Sequence, residues 1–176
     1  MIDFNKWPKI KRLTNERMVV TEKIDGTNGQ FYIDEEGTIH VGARNGWISV
    51  EKDNMGFAAW IQERKDLILE FFPAGHRYYG EFFGHRINRG YGLKEKKFAL
   101  FNIDIHVPVN LFDAGFTEVP VLYDGPFQDS IESIIDKLDS EGSVLVPGYN
   151  NPEGVIVHLH ETGAKYKVFC KGNRDK

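Results

Sequence analysis

A single cysteine, Cys170, stands in a chain of 176 residues, so no disulfide can close within it. Its place in an apolar, strand-like run reads as a small buried hydrophobe in a reducing compartment. No apolar run is long enough to cross a bilayer. The opening MIDFNKWPKIKR lacks a secretory h-region, so a cytoplasmic location and no membrane partner are expected. No GxxxxGK followed by Ser or Thr occurs, which excludes a P-loop grip on any nucleoside triphosphate. Positive charge is scarce as well: 22 Lys and Arg stand against 26 Asp and Glu, for a net charge of −4. A polyanion would therefore have to meet a local patch. There is no internal repeat, low-complexity tract or linker. With 41% hydrophobic and 27% charged residues, the length fits one domain over 1–176 with a core of its own.

Against these absences, one stretch stands out: Thr21-Glu22-Lys23-Ile24-Asp25-Gly26-Thr27-Asn28-Gly29. Met18-Val19-Val20 ahead of it reads as a β-branched strand. Asn28-Gly29 predicts a turn into a second strand, 30–34. A lysine is thereby held at a strand end beside a carboxylate and a glycine. An amine attacks only as the free base, so a nucleophilic lysine needs desolvation or neighbouring cations to favour that form. Gly26 would let the backbone approach a ligand without a Cβ in the way. An ordinary charged turn accounts for the tetrapeptide equally simply.

Downstream, 38–42 alternates as a strand and Asn45-Gly46 predicts a tight turn. Arg44 just before it is either a solvated turn residue or a guanidinium beside a cleft. From Asp53 or Asn54 as N-cap, apolar spacing predicts one helix to about Phe72, ended by Pro73 and Gly75. RYYGEFFG at 77–84 reads as an aromatic strand holding one carboxylate, Glu81, which needs a partner if buried and none if it lies at a strand end. Residues 85–97 form a glycine-containing basic loop with His85, Arg86, Arg89, Lys94, Lys96 and Lys97. A phosphate-binding patch and a solvated loop both explain it. FALFNIDI at 98–105 predicts a buried strand. A helix is predicted over 129–138, with Asp129 and Glu132 at capping-box spacing, and strands at 143–146, 154–158 and 166–170. His158 and His160 share a strand face, but the third and fourth ligands of a zinc site are lacking.

Taken in order, KIDGTN (23–28), Arg44 before its turn, YYGEFFG (78–84), FALFN (98–102), PEGVIVH (152–158) and KYK (165–167) resemble the covalent nucleotidyltransferase superfamily of polynucleotide ligases and capping enzymes. The likeness is greatest to ATP-dependent RNA ligases of the nick-sealing (RNA ligase 2) type, and it spans 18–171. It implies an α+β fold: antiparallel-rich mixed sheets with flanking helices, the nucleotide in a cleft between sheets. The chain resembles the catalytic domain alone, with no C-terminal oligonucleotide-binding barrel.

Position by position, the resemblance makes Lys23 the nucleophile that takes AMP as a phosphoramidate. Glu22 would touch the adenine edge through its backbone, and Asp25 and Asn28 would line the nucleotide or end-phosphate site. Arg44 would contact phosphate, Glu81 the ribose and Phe101 the adenine face. Glu153 would support the catalytic metal, and Lys165 and Lys167 the adenylate phosphate, where they would also flank Lys23 with like charge. Arg44 and the basic loop (Arg86, Arg89, Lys94, Lys96, Lys97) would meet nucleic acid. Asn102 stands where relatives of this type carry aspartate. The resemblance implies ATP as AMP donor with Mg2+ or Mn2+, and RNA ends or a nicked duplex as partner in RNA repair. A small ATP-dependent DNA ligase and a non-catalytic end-binding protein of the same fold are the alternatives. Thr27-Asn28 favours RNA.

Overall fold

Residues 2–101 and 106–173 are described in the computed structural model of the chain. Alternating apolar residues build ten strands among them, sorted into two sheets. The four-stranded sheet runs β10 (Lys165–Phe169), β9 (Gly154–Leu159), β1 (Arg17–Lys23), β8 (Val121–Pro126). The six-stranded sheet runs β4 (Gly46–Ile48), β3 (Ile39–Ala43), β2 (Thr27–Ile33), β5 (Arg77–Gly84), β6 (Lys96–Leu100), β7 (Phe116–Glu118). All pairings are antiparallel except β6 with β7. This is the antiparallel-rich α+β architecture expected, and neither sheet closes into a barrel among the described residues.

Three apolar clusters hold it. The largest lies on one face of the six-stranded sheet, where Phe31, Tyr78, Phe82 and Phe98 meet Phe57, Trp60 and Ile61 of α1 (Phe57–Gln62) and Ile68 of α2 (Lys65–Phe71). A second joins Met18, Val20, Val155 and Val157 to Ile135 and Leu138 of α3 (Glu132–Glu141), and includes the buried Cys170. The third is small and lies where the sheets meet: Ile24, Phe83, Tyr91, Ala99 and Val119. Burial pushes the Cys170 thiol up to about 12, which keeps it an inert hydrophobe at neutral pH.

Several expectations are corrected. Asn28-Gly29 is not a turn; both lie inside β2. A Cβ at Gly29 would sit 2.6 Å from the Phe57 ring, so the glycine serves helix packing. At 24–26 the chain passes instead from one sheet to the other, since β1 and β2 belong to different sheets. Gly26 serves close approach to β5, since a Cβ there would lie 2.3 Å from the Phe82 carbonyl oxygen. The β3–β4 turn is Arg44-Asn45, with Gly46 already in β4.

The predicted 53–72 helix is two short ones. Arg64 leaves helical geometry between them, its guanidinium donating to the Ala114 carbonyl at 2.7 Å and lying 4.0 Å from the Trp60 ring centroid. The N-cap of α1 is Gly56 and not Asp53 or Asn54, although the Asp53 carboxylate reaches the first turn and accepts from the Ala58 and Ala59 amides. The third helix starts at Glu132, and its amide bonds the Ser130 hydroxyl at 3.2 Å, not an Asp129 capping box. Residues 143–146 are not a strand, because their amides turn toward Glu22. Of the predicted 98–105 strand, 98–100 lie in β6, Phe101 follows it, and 102–105, Asn102 among them, lie outside the described residues.

Candidate active site

The crossing from one sheet to the other, Ile24-Asp25-Gly26, presents Lys23 at the mouth of the cleft. The Lys23 amine donates to Glu153 Oε2 at 2.7 Å, and both side chains are largely buried. Glu153 arrives on the segment entering β9, whose Gly154 pairs with Lys23. The partner given to the amine is therefore a carboxylate. Lys165 and Lys167 lie two strands away on the same sheet face, exposed, in rows with Val19 and Thr21.

Facing Lys23 and Glu153 from the other sheet is Glu81. Its Oε1 accepts from the Gly26 amide at 3.1 Å and its Oε2 from the Asn28 side-chain amide at 2.9 Å. Burial pushes this carboxyl up to about 7; the Lys23 charge opposes the shift, and Glu153 and Asp25 add to it. Glu81 is thus the buried carboxylate with partners, not an exposed strand end. Asn28, exposed, sits directly across from it on β2. One position past the Gly29–Ala43 pair, Arg44 projects from its turn at the edge of the same face. Phe101 follows β6 on this face, 40% exposed, whereas Phe98 is fully buried on the other.

Four residues have structural duties that the sequence did not reveal. Glu22 is buried and points away from the cleft, accepting from the Ser143 hydroxyl at 2.6 Å and the Val144 and Leu145 amides at 2.9 Å each. Its backbone amide goes to the Pro120 carbonyl. Burial raises its carboxyl despite those donors. Asp25 is locked by Arg89 Nε at 2.6 Å and Asn88 at 2.9 Å. Arg89 also donates to the Asn151 carbonyl and the Asn173 side chain. That takes Arg89 out of the surface cluster, because its side chain is inside the fold holding the crossing in place. Lys96 likewise donates to the Met55 carbonyl at 2.6 Å. Arg86 and Lys94 stand exposed and Lys97 half-buried.

Asn88 and Tyr91 also hold the crossing, and no motif in the sequence marks them. Asn88 donates to the Gly26 carbonyl at 2.7 Å, and the Tyr91 hydroxyl accepts the Asp25 amide at 2.7 Å. Arg86, Asn88 and Tyr91 have φ of 58°, 45° and 52°, left-handed values that are uncommon for such residues. No sequence pattern marks that strain; only the clustering of Asn and Gly around 84–92 hints at it. His158 and His160 lie with ring centroids 4.5 Å apart and planes tilted by 31°, and no group of three metal-ligating side chains occurs among the described residues.

The comparisons bear on the fold. A likeness of fold is found to Naegleria gruberi RNA ligase with pyrophosphate, at 22% identity and TM-score 0.63, covering 91% of this chain and 51% of that one. A variant of that enzyme with ATP and manganese matches at 20% identity and TM-score 0.65, again covering 91% and 51%. A variant with AMP and manganese matches at 22% and 0.61 with the same coverage. The likeness is one of fold, and the chain spans about half the length of those enzymes. No curated protein matches the sequence significantly. The RNA ligase family model matches residues 16–169, nearly the whole of both sheets, and the chain belongs to the RNA ligase family.

Proposed function

We propose that the chain is the single adenylation domain, over 1–176, of an ATP-dependent RNA ligase: it takes AMP onto Lys23, passes it to a 5′-phosphate, and joins that end to a 3′-hydroxyl. The observation that carries this is the Lys23–Glu153 contact of 2.7 Å at the sheet crossing, with Glu81 across the cleft. In the first step the Lys23 amine attacks the α-phosphorus, a P–N bond forms, the P–O bond to pyrophosphate breaks, and the amine loses a proton. Glu153 is the acceptor already in contact with that amine. Lys165 and Lys167, on the same sheet face, supply positive charge where phosphoryl charge develops. Glu81, held by Gly26 and Asn28, and Phe101, exposed at the end of β6, orient the nucleoside, which lowers the entropy cost of reaction. Arg44 is the exposed cation next to Asn28 for a phosphate.

The donor set fits a divalent cation. Glu153 uses one oxygen for Lys23, and its other oxygen carries no hydrogen bond among the described residues. Magnesium accepts hard carboxylate oxygen and needs few protein ligands when phosphates supply the rest. Bound there, the metal would offset phosphate charge. Cytoplasmic RNA repair is the setting this reading implies.

The test is intact mass after incubation with ATP and Mg2+. An AMP adduct is expected, absent in Lys23→Ala and in Lys23→Arg, since guanidinium stays protonated. An adduct on another lysine, or none in the wild-type protein, overturns the reading, and the latter favours a non-catalytic end-binding protein.

A further inference from the structure

Beyond Glu81 and Asn28, the cleft face of the six-stranded sheet is open. Register aligns Phe101, Tyr79, Gln30, Gly42 and Trp47 in one row across it. The Phe101 amide donates to the Tyr79 carbonyl at 2.8 Å, and Tyr79–Gln30, Gln30–Gly42 and Gly42–Trp47 are paired positions. The rings stand in solvent: Trp47 is 54% exposed, Tyr79 47% and Phe101 40%. The next row is Arg77, Tyr32 and His40. The Arg77 guanidinium lies 5.2 Å from the Tyr32 ring and 5.0 Å from the Trp47 ring, and donates to Gln30 Oε1 at 2.8 Å.

Four strand spacings of ~4.8 Å make the ring row about 19 Å long. A line of partly exposed large aromatics marks an interaction surface. A sheet face with solvent-facing rings binds unpaired bases by stacking, because every base has a π-face. The row itself holds no carboxylate, and the adjoining guanidinium, held between rings, adds cation–π attraction. It also begins at Phe101, within the candidate nucleotide site. A duplex hides its base faces in its own stack and offers phosphates, for which this row has no donor series.

We propose that this row docks unpaired bases of the RNA strand whose end is presented to Lys23, so that single-stranded RNA is gripped by its bases next to the adenylation site. The proposal rests on the ligase reading for that end, and its test separates the two. Fluorescence anisotropy with a 5′-phosphorylated single-stranded oligoribonucleotide, free or annealed to a complement, measures binding; intact mass after ATP measures the adduct. Trp47→Ala should weaken single-strand binding about tenfold while adduct yield stays at the wild-type level. Trp47→Phe, which keeps a ring, should stay within about threefold of wild type. Unchanged single-strand binding in Trp47→Ala, or tighter wild-type binding of the duplex than of the single strand, overturns the proposal. A wild-type protein that forms no adduct overturns the ligase reading, and the anisotropy series still decides the row.

Discussion

On one face of the six-stranded sheet Phe31, Tyr78, Phe82 and Phe98 are sealed beneath α1 and α2, while on the other Tyr79, Phe101 and Trp47 stand in solvent. The residue types are nearly the same. What separates them is the two-residue period of a strand, which sends Tyr78 inward and its neighbour Tyr79 outward. The sealed face is closed by ring-on-ring contact, Phe57 lying 5.0 Å from both Phe82 and Phe98. The open face is bounded at one end by the small inter-sheet cluster and carries the polar groups Glu81, Asn28 and Gln30. One face therefore supplies stability and the other is the one we propose for a ligand, and substitutions on the two should fail in different ways.

The largest effect belongs to the sealed face. Phe98→Ala should cost about 3–5 kcal/mol, as truncating a fully buried ring leaves a cavity among Phe31, Phe57, Trp60 and Phe116. Urea unfolding would measure it, and a loss below about 1 kcal/mol would mean that the cluster is looser than its contacts imply.

That contrast also marks what could be read from the sequence. Strand existence was legible wherever alternation was clean, as in 77–84, and the order of motifs carried the family. The separation of β1 and β2 into different sheets was not, because Asn28-Gly29 carries a turn signal that Phe57 overrides by packing on Gly29. Lys23, Glu81 and Glu153 are brought together by long-range pairing that begins from familiar motifs. Arg89 was misplaced for the opposite reason: a run of basic residues looks uniform in sequence, and only the partners Asp25, Asn151 and Asn173 show which one turns inward. The Phe101–Trp47 row draws single residues from five strands or strand ends spread between Gln30 and Phe101, so no local pattern exposes it.

Acidity should act through the open face. Among the described residues the sealed cluster holds one ionisable side chain, Tyr78, whose hydroxyl donates to the Pro73 carbonyl. Glu81, raised to about 7 by burial, binds its proton more tightly folded than unfolded. Its contribution to stability is thus fully present below the unfolded value near 4.5 and is lost as pH rises through about 7. The loss should be on the order of 1–3 kcal/mol. Glu81→Gln should flatten that slope without removing it, since burial raises Glu22 in the same direction. Equal slopes in the two proteins, followed by urea unfolding from pH 4.5 to 8, would take Glu81 out of the titration.

Phe101→Ala should separate the two faces within one strand run. Partly exposed and outside the aromatic cluster, its loss should change stability by less than about 0.5 kcal/mol. Nucleotide affinity should fall by about 1–3 kcal/mol. Calorimetry with ATP and thermal melts of the same samples check both halves. A large drop in melting temperature would assign Phe101 to the core beside Phe98.

The smallest effect should come from charge. With Arg89 turned inward and Lys96 bound to the Met55 carbonyl, the basic loop offers only Arg86, Lys94 and Lys97 to a phosphate backbone. Each phosphate contact to a single strand contributes about 0.7 to the slope of log affinity against log salt. Replacing those three by Gln should therefore lower the slope by at most about 2, with a modest loss of affinity at physiological salt. Stacking carries little of that dependence, so Trp47→Ala should lower affinity about tenfold and leave the slope intact. Adduct formation, which needs only a small ligand in the cleft, should tolerate salt better than RNA binding does. Anisotropy over a salt series, run on the wild type and both variants, sets the two contributions side by side. If the triple variant loses more affinity than Trp47→Ala, the loop and not the open sheet face is where RNA is held, because only phosphate contacts could produce that order.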